Sequence, residues 1–341
     1  METTAPTPTG PIGADEAEFM QAARTDDGGR FALLTERFRR ELLVHCYRML
    51  ASYDDAQDLT QETFLRAWAK RESFQGRASL RTWLYRIATN ACLDFIEKRR
   101  DRTPVPADLH GVGGTGTEVL YLQPWPDGQP DDPYTQVVAR ETIELAFIVA
   151  VQHLPARQRA VLILRDVLGW PAQQTADALE LTLASANSAL ARARATMRQH
   201  LPDGRLDWSA RAGQGLSEAE QTLVSRYVEH LENLDLDGLA DLLRDDVRFA
   251  MPPQVGVWVG RAAVVQTWID GGLDKLEPTA FRCLITTANG QPAVAAYHRS
   301  PGATTYEALA LDVLRVEGGL VAEMLTFGPE MFERFGLPEE L

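Results

Sequence analysis

One stretch of the sequence, RTWLYRIATNACLDFIEKRR at residues 81–100, combines side chains that can bind a polyanion. Its apolar residues recur with helical spacing, which predicts a helix with one buried stripe. Asn90 falls on another face, and basic residues gather at the end of the stretch, at Lys98, Arg99 and Arg100. Cations gathered at one helix end attract phosphate groups, although a charge run is more often only a solvated surface. These residues alone leave both interpretations open.

Charge is distributed unevenly along the chain. The 341 residues carry a formal net charge of −14, yet residues 30–102 have 15 basic and 10 acidic side chains, a net charge of +5. Residues 103–139 have 5 acidic residues and no Lys or Arg, and residues 203–341 have 11 basic and 22 acidic residues, a net charge of −11. The front of the chain is therefore the part expected to face a polyanion.

Length and composition narrow the classes of protein further. A chain of 341 residues is long enough for about two or three domains. The three cysteines are too few and too scattered for a disulfide framework or a zinc site, and we expect neither a metal nor a cofactor. No apolar run is long enough to span a membrane, and the start, METTAPTPTGPIGADEAEF, lacks the basic and apolar segments of a secretory signal. The cytoplasm is the expected compartment.

Helical periodicity continues on both sides of the opening stretch. It predicts helices over residues 31–50 and 54–70, and again from about residue 134 onwards. A tight turn around Glu180–Thr182 joins two of the later helices, which predicts a helix-turn-helix. Residues 103–139 contain six Pro and five Gly without periodicity, so we expect a linker there and no core element.

The pattern changes after residue 216. Ser217 and Glu220 have the spacing of a capping box, which predicts the start of a helix. Strand-like runs follow, one near 247–251 and four between about 279 and 327, separated by turn signals such as Asn289–Gly290. Helices followed by an antiparallel meander predict an α+β domain.

Three segments, in this order and with these gaps, closely resemble regions 2 and 4 of the extracytoplasmic-function (ECF) sigma factors of bacterial RNA polymerase. They are DDAQDLTQETFLRAWAK, FQGRASLRTWLYRIATNACLDFIEKRR, and LPARQRAVLILRDVLGW with the later LARARATM. Residues 216–330 resemble the SnoaL-like domain, a cone-shaped fold of the nuclear transport factor two type, mainly through LLRDDVRFAMPPQVGVWVGRAAVVQTW. The fold expected from these resemblances is multidomain: all-α sigma region 2 and helix-turn-helix region 4 domains, then an α+β cone-shaped SnoaL-like domain. The expected segments are a disordered tail at 1–29, region 2 at 30–102, an acidic linker at 103–139, region 4 at 140–202, a linker at 203–215 and the SnoaL-like domain at 216–341.

The resemblance implies a protein that binds core RNA polymerase and promoter DNA and helps to initiate transcription. The helix at 54–70 would dock on the largest polymerase subunit through Asp58, Gln61, Glu62, Phe64 and Leu65. The loop at 74–79 and the helix at 81–100 would read the minus-ten promoter element through Arg77, Arg81, Trp83, Asn90, Asp94, Lys98, Arg99 and Arg100. The helix-turn-helix would read the minus-thirty-five element through Thr182, Ser185, Asn187, Ser188, Arg192 and Arg194.

The residue types suit these roles. Asn90 can hydrogen-bond the edge of an unpaired base, and the basic residues can bind phosphates. Trp83 either supports the unstacked strand or belongs to the helical core. Asn187 and Ala189 stand where many family members have basic residues, so phosphate binding by the second helix would rest on the arginines that follow.

The C-terminal domain is expected to enclose a pocket able to hold a small molecule. The candidate pocket residues are Trp258, Trp268, Tyr297, His298 and Asp312. No nucleophile–base constellation is visible, so we expect no enzyme activity. The acidic charge of this domain and the basic charge of residues 30–102 predict that the domain regulates the front half by direct contact. Because surface ion pairs are weak, the contact is expected to include apolar area from the tail FGPEMFERFGLP.

Two other functions stay open. The first is a ligand-responsive DNA-binding regulator that never joins the polymerase, although such a protein has no use for the helix at 54–70. The second is a SnoaL-type small-molecule enzyme fused to a DNA-binding module.

Overall fold

A computed structural model describes residues 14–102, 119, 121–127, 144–201, 216–254 and 256–341. The chain forms two compact units: Met1–Pro104 with Leu154–Gln199, and Val105–His153 with His200–Leu341. The helices are α1 (Ala14–Arg24), α2 (Gly28–Glu36), α3 (Arg39–Leu50), α4 (Tyr53–Ala69), α5 (Leu80–Arg102), α6 (Leu145–Gln152), α7 (Ala156–Leu162), α8 (Ala172–Ala178), α9 (Leu183–His200), α10 (Glu218–Glu232), α11 (Leu236–Asp241) and α12 (Arg261–Asp270). The strands are β1 (Leu243–Ala250), β2 (Val257–Val259), β3 (Phe281–Ala288), β4 (Gln291–His298), β5 (Glu307–Glu317) and β6 (Leu320–Phe327).

The first unit is helical. Helices α3, α4 and α5 pack against one another through buried side chains such as Leu42, Leu59 and Leu84. Ser52 caps α4, because its hydroxyl accepts the Asp55 N–H at 3.3 Å. In the part of the chain that the structure describes, no helix is both long enough and apolar enough to cross a membrane.

Helix α1 corrects the prediction of a disordered tail for residues 14–29, while residues 1–13 lie outside the described part of the chain. Its buried stripe consists of Phe19, Ala22 and Ala23. Phe19 is fully buried against Phe31, with 5.2 Å between the ring centroids. Burial of this aromatic side chain helps to hold the short segment on the unit.

The helix-turn-helix forms as predicted, from α8 and α9. Glu180 occupies the turn with a positive φ of 55°, and Thr182 caps α9 by accepting the Ser185 N–H at 3.1 Å. The inward stripe of α9 is Ala186, Leu190, Ala193 and Met197, as its periodicity predicts.

The second unit contains a mixed sheet. In its described ranges the sheet has six strands in the order β2-β1-β6-β5-β4-β3. Strands β3 to β6 form the predicted antiparallel meander, and β1 pairs with β6 in parallel. Strand β2 was not predicted, because three residues are too few to show an alternating pattern. Helices α10 and α12 cover one face and share a core with the sheet that includes Val224, Trp268, Phe249 and Leu314.

Candidate nucleic-acid interface

Helix α4 carries an exposed acidic and apolar face. Asp58 and Gln61 are exposed, and the Leu65 side chain has 59% of its surface exposed. Leu59 and Thr63 point into the helical core instead. Large apolar side chains beside acidic groups on one helix face suit a protein partner. Phe64 is half-buried at the border of this face.

Arg66 connects α4 to α5. Its Nε lies 2.9 Å from Oε1 of Glu62, and its Nη1 lies 2.9 Å from Oδ2 of Asp94. Hydrogen bonding to Glu62, more than to Asp94, raises the pKa of Arg66. Two residues predicted to contact different partners, Glu62 the polymerase and Asp94 the DNA, therefore share one arginine.

The basic residues of α5 differ in their surroundings. Lys98 is exposed, whereas the Arg99 guanidinium lies 3.0 Å from the Asp55 carboxylate. Arg81 is likewise 2.7 Å from the Glu41 carboxylate. Of the other predicted phosphate contacts, Arg77 is exposed in the loop, and the side chain of Arg100 lies outside the described part of the chain.

Asn90 and Trp83, both predicted to contact the minus-ten element, have different surroundings on α5. Asn90 is half-buried on the polar side of the helix. The Trp83 ring packs against Phe19 and Phe74, with centroid distances of 5.5 and 5.2 Å. Trp83 is therefore part of an aromatic cluster, which favours the core interpretation weighed from the sequence.

One of the predicted cations of α9 is already ion-paired. Asn187, Ser188 and Arg192 are exposed as predicted. Arg194, in contrast, is held by both oxygens of Asp166 at 2.8 and 2.7 Å, and its hydrogen bond to Asp166 raises its pKa. Ala189, considered above as a DNA-facing position, is buried at 7% exposure and belongs to the packed face.

The two helical parts of the first unit are joined by polar contacts. Arg86 of α5 lies 2.9 Å from Glu180 in the helix-turn-helix. The buried Arg159 donates a short hydrogen bond to the carbonyl of Met49 and another, at 3.2 Å, to that of Leu154. Hydrogen bonds from a guanidinium to backbone carbonyls fix the position of α7 on the end of α3.

A polar cluster lies inside the core of the second unit. The Tyr227 hydroxyl donates to Oδ2 of Asp312 at 3.0 Å, and the Thr326 hydroxyl donates to Oδ1 at 2.5 Å. Burial raises the pKa of Asp312 and of Tyr227. Burial also raises the pKa of the nearby Cys283 thiol. Tyr227, Thr326 and Cys283 were missed as candidates, because each looks like one more member of an apolar stripe or strand.

The predicted pocket residues do not all share one face of the sheet. Trp268 and Asp312 are buried on the helix side, and Trp258 packs there against Phe249 at 5.4 Å. His298 is half-buried. Tyr297 was predicted to line the pocket, but it lies on the opposite face of the sheet, because successive strand residues point to opposite faces.

Tyr297 packs with the C-terminal tail. Its ring lies 5.1 Å from Phe332, edge to face, and its hydroxyl donates to the Pro338 carbonyl at 2.9 Å. Phe332 and Met331 are buried within their own unit. The tail therefore does not offer the free apolar area expected of it.

Part of the predicted linker is a docked segment. Trp125 is only 2% exposed, its N–H donates to Oδ1 of Asn289 at 2.7 Å, and its carbonyl accepts the Asn289 N–H at 3.0 Å. Asp127 accepts the Gly290 N–H at 2.9 Å. Helix α6 belongs to the same unit, where the Leu145 N–H donates to Oε1 of Gln291 at 3.2 Å. The turn from β3 to β4 thus holds both segments.

Three family models match this chain. Residues 34–102 match Sigma-70 region 2, residues 144–197 match Sigma-70, region 4, and residues 224–324 match the SnoaL-like domain. Over the ranges the structure describes, no cluster of three or more His, Cys, Asp or Glu side chains could hold a metal ion.

Relatives and solved structures agree with these matches. The chain is 42% identical over 323 residues to the ECF RNA polymerase sigma factor SigG of Mycobacterium tuberculosis, covering 92% of this chain and 85% of that protein. It is 28% identical over 185 residues to the ECF RNA polymerase sigma factor SigW of Bacillus subtilis, covering 54% of this chain and 95% of that one. The crystal structure of the M. tuberculosis extracytoplasmic function sigma factor SigJ has the same fold, with a TM-score of 0.61 at 24% identity over 89% of this chain and 98% of that chain. With its helical unit, its helix-turn-helix and its C-terminal sheet domain, the chain belongs to the ECF sigma factors, which direct RNA polymerase to promoters.

Proposed function

We propose that this sigma factor is regulated by its C-terminal domain through the docked segment around Trp125 and through α6. The observation that carries the proposal is the pair of hydrogen bonds between Trp125 and Asn289. Helix α6 lies within the range that matches region 4, so the same turn holds the linker and the first helix of a DNA-binding region. A change at this turn would alter how freely region 4 moves.

The partners of the front half are core RNA polymerase and promoter DNA. In the proposal, α4 contacts the polymerase through Asp58 and Leu65. Asn90 reads a base of the minus-ten element, while Lys98 and Arg77 bind phosphates. Asn187, Ser188 and Arg192 read the minus-thirty-five element. Asn90 is half-buried, and the exposure of the other side chains supports the assignment.

We further propose that the C-terminal domain is a binding module with no turnover of its own, and that the protein works in the cytoplasm, where the polymerase is. Both oxygens of Asp312 are engaged by hydroxyls of Tyr227 and Thr326 in a packed core, which supports a structural role. The candidate input signal is a small molecule bound by this domain. The alternative hypothesis, a SnoaL-type enzyme, predicts that the domain turns over a substrate and that Asp312→Asn abolishes this turnover.

The test is transcription by reconstituted holoenzyme carrying Trp125→Ala or Asn289→Ala in the full chain. The exposed Asn233→Ala in the same domain is the matched control. We expect both docking variants to change promoter-dependent transcription at least threefold, with core binding unchanged. Wild-type activity of both variants at every salt concentration would contradict regulation through the docked segment. A chain that does not co-purify with core polymerase, yet still binds DNA, would support the regulator that never joins the polymerase.

A further inference from the structure

Helix α1 and the turn after it run along the connection between α4 and α5. Asp26 in that turn lies 2.6 Å from the Arg71 guanidinium, at the beginning of the connection. Further along, the buried Phe19 packs edge to face on Phe74, with 5.1 Å between the ring centroids. Two successive points of the connection are therefore held by the N-terminal segment.

The third point is the end of the connection, where α5 begins. Ser79 caps α5 by accepting the Thr82 N–H at 3.1 Å. The Leu80 N–H belongs to the first turn of the helix and has no partner inside it. Oε1 of Glu16 accepts this N–H at 3.0 Å. A carboxylate at the positive end of a helix is also favoured by the helix dipole.

Between these points the connection is exposed. Gln75, Arg77, Ala78 and Ser79 face solvent, whereas Phe74 and Leu80, on either side, are buried. A short exposed loop whose two ends are fixed has few conformations to lose when it binds a partner.

We infer that α1 is a positioning element for the minus-ten reading loop, with Glu16 and Phe19 as its positioning residues. The inference rests on the proposed role of residues 74–79 in reading that element. Helix α1 lies before residue 34, where the match to the region 2 family model begins.

The packing of α1 indicates that this helix stays bound to the unit and does not detach from it. Phe19 is fully buried, and its ring also contacts Phe31 and Trp83, so lifting α1 away would expose a whole aromatic cluster to water. Glu18, on the same helix, forms a half-exposed ion pair with Arg30 instead.

The experiment compares Glu16→Ala and Phe19→Ala with Glu18→Ala in the full chain, bound to core polymerase. The probe is a promoter selected by the wild-type holoenzyme from a pool randomised at the minus-ten element. The key readout is the affinity ratio between that promoter and its single-base variants. The fraction of folded protein cancels in this ratio, so a mere loss of stability leaves it unchanged.

We expect Glu16→Ala and Phe19→Ala to lower the ratio by about threefold to tenfold, the effect of ordering one or two more side chains on binding. Core-polymerase affinity should stay within twofold, Glu18→Ala should match the wild type, and Phe19→Leu should restore most of the ratio. Unchanged ratios in Glu16→Ala and Phe19→Ala would overturn the inference. If Phe19→Ala does not fold, an unchanged ratio in Glu16→Ala is enough to overturn it. Asn90→Ala separates the two proposals. If it leaves the ratio intact, the minus-ten assignment itself is wrong, whereas if it alone lowers the ratio, only the role of α1 is wrong.

Discussion

Nη2 of Arg86 lies 2.9 Å from Oε1 of Glu180, so α5 is ion-paired with the turn of the helix-turn-helix. Beside this pair, Nε2 of Gln174 donates to Oγ1 of Thr82 at 2.8 Å. The minus-ten and minus-thirty-five elements are separated by about 25 base pairs, or roughly 85 Å at the ~3.4 Å rise of B-DNA. In the proposed roles, α5 and the helix-turn-helix read elements this far apart. We therefore expect the contact between Arg86 and Glu180 to break when the first unit binds a promoter.

Cross-linking this contact should block function. In a chain carrying Thr82→Cys, Gln174→Cys and Cys283→Ser, a short bismaleimide should join α5 to α8, because Cys46 and Cys92 are fully buried. We expect the cross-linked chain to lose transcription from a two-element promoter by at least tenfold. Each single-cysteine chain treated with the same reagent is the control. Full activity after cross-linking would mean that the closed contact is compatible with promoter binding.

A charge reversal on α4 should prevent polymerase binding. Asp58→Lys places a cation on the face proposed to dock, and mismatched charge at an interface costs several kcal/mol. We expect at least a tenfold weaker Kd for core polymerase, with the thermal midpoint of the chain unchanged because Asp58 is exposed. Glu333→Lys makes the same charge change at an exposed site of the other unit. Equal affinities of the two variants would remove the docking assignment.

The salt dependence of promoter binding should distinguish Lys98 from Arg99. Lys98→Ala removes an exposed cation and should reduce the slope of log K against log salt by about 1. Arg99→Ala removes an arginine already ion-paired with Asp55 at 3.0 Å, so its effect on the slope should be smaller. The measurement is a titration of one promoter at several salt concentrations. A larger slope change for Arg99→Ala would mean that DNA displaces Asp55.

The buried Asp312 should make the second unit less stable as the pH rises. Its pKa is raised by burial, so the folded state keeps a proton that the unfolded state has already lost above pH ~4. The stabilisation is complete at lower pH and disappears as the pH rises through the raised pKa. Calorimetry should show that the thermal midpoint of the wild type falls as the pH rises, by roughly 2–4 °C for each kcal/mol of lost stability. Asp312→Asn should flatten it, whereas the exposed Asp274→Asn should not.

Periodicity predicted most of the longer elements, because helices such as α9 and α10 carry their own buried stripe. It failed for Trp125, since a docked extended segment has no period and its partner Asn289 is 164 positions away. The same limit hid the ion pair between Arg99 and Asp55, whose members are 44 positions apart. The sequence therefore identified candidate site residues by their chemical type. It could not identify their contact partners, because these depend on tertiary structure. Helix α1 was missed for the same reason, because Phe19 is buried by residues far along the chain.

The docking of Trp125 also limits how far the chain between the two units can extend. From Arg102 to Glu144 the chain has 42 residues, which could extend over about 150 Å at ~3.5 Å per residue. From Arg102 to Trp125 it has only 23, or about 80 Å. As long as Trp125 stays docked, region 2 cannot move further than this from the β3–β4 turn. With the proposed role of region 2, this reach is also the longest tether that the docked segment leaves between the C-terminal domain and the part of the chain that reads the minus-ten element.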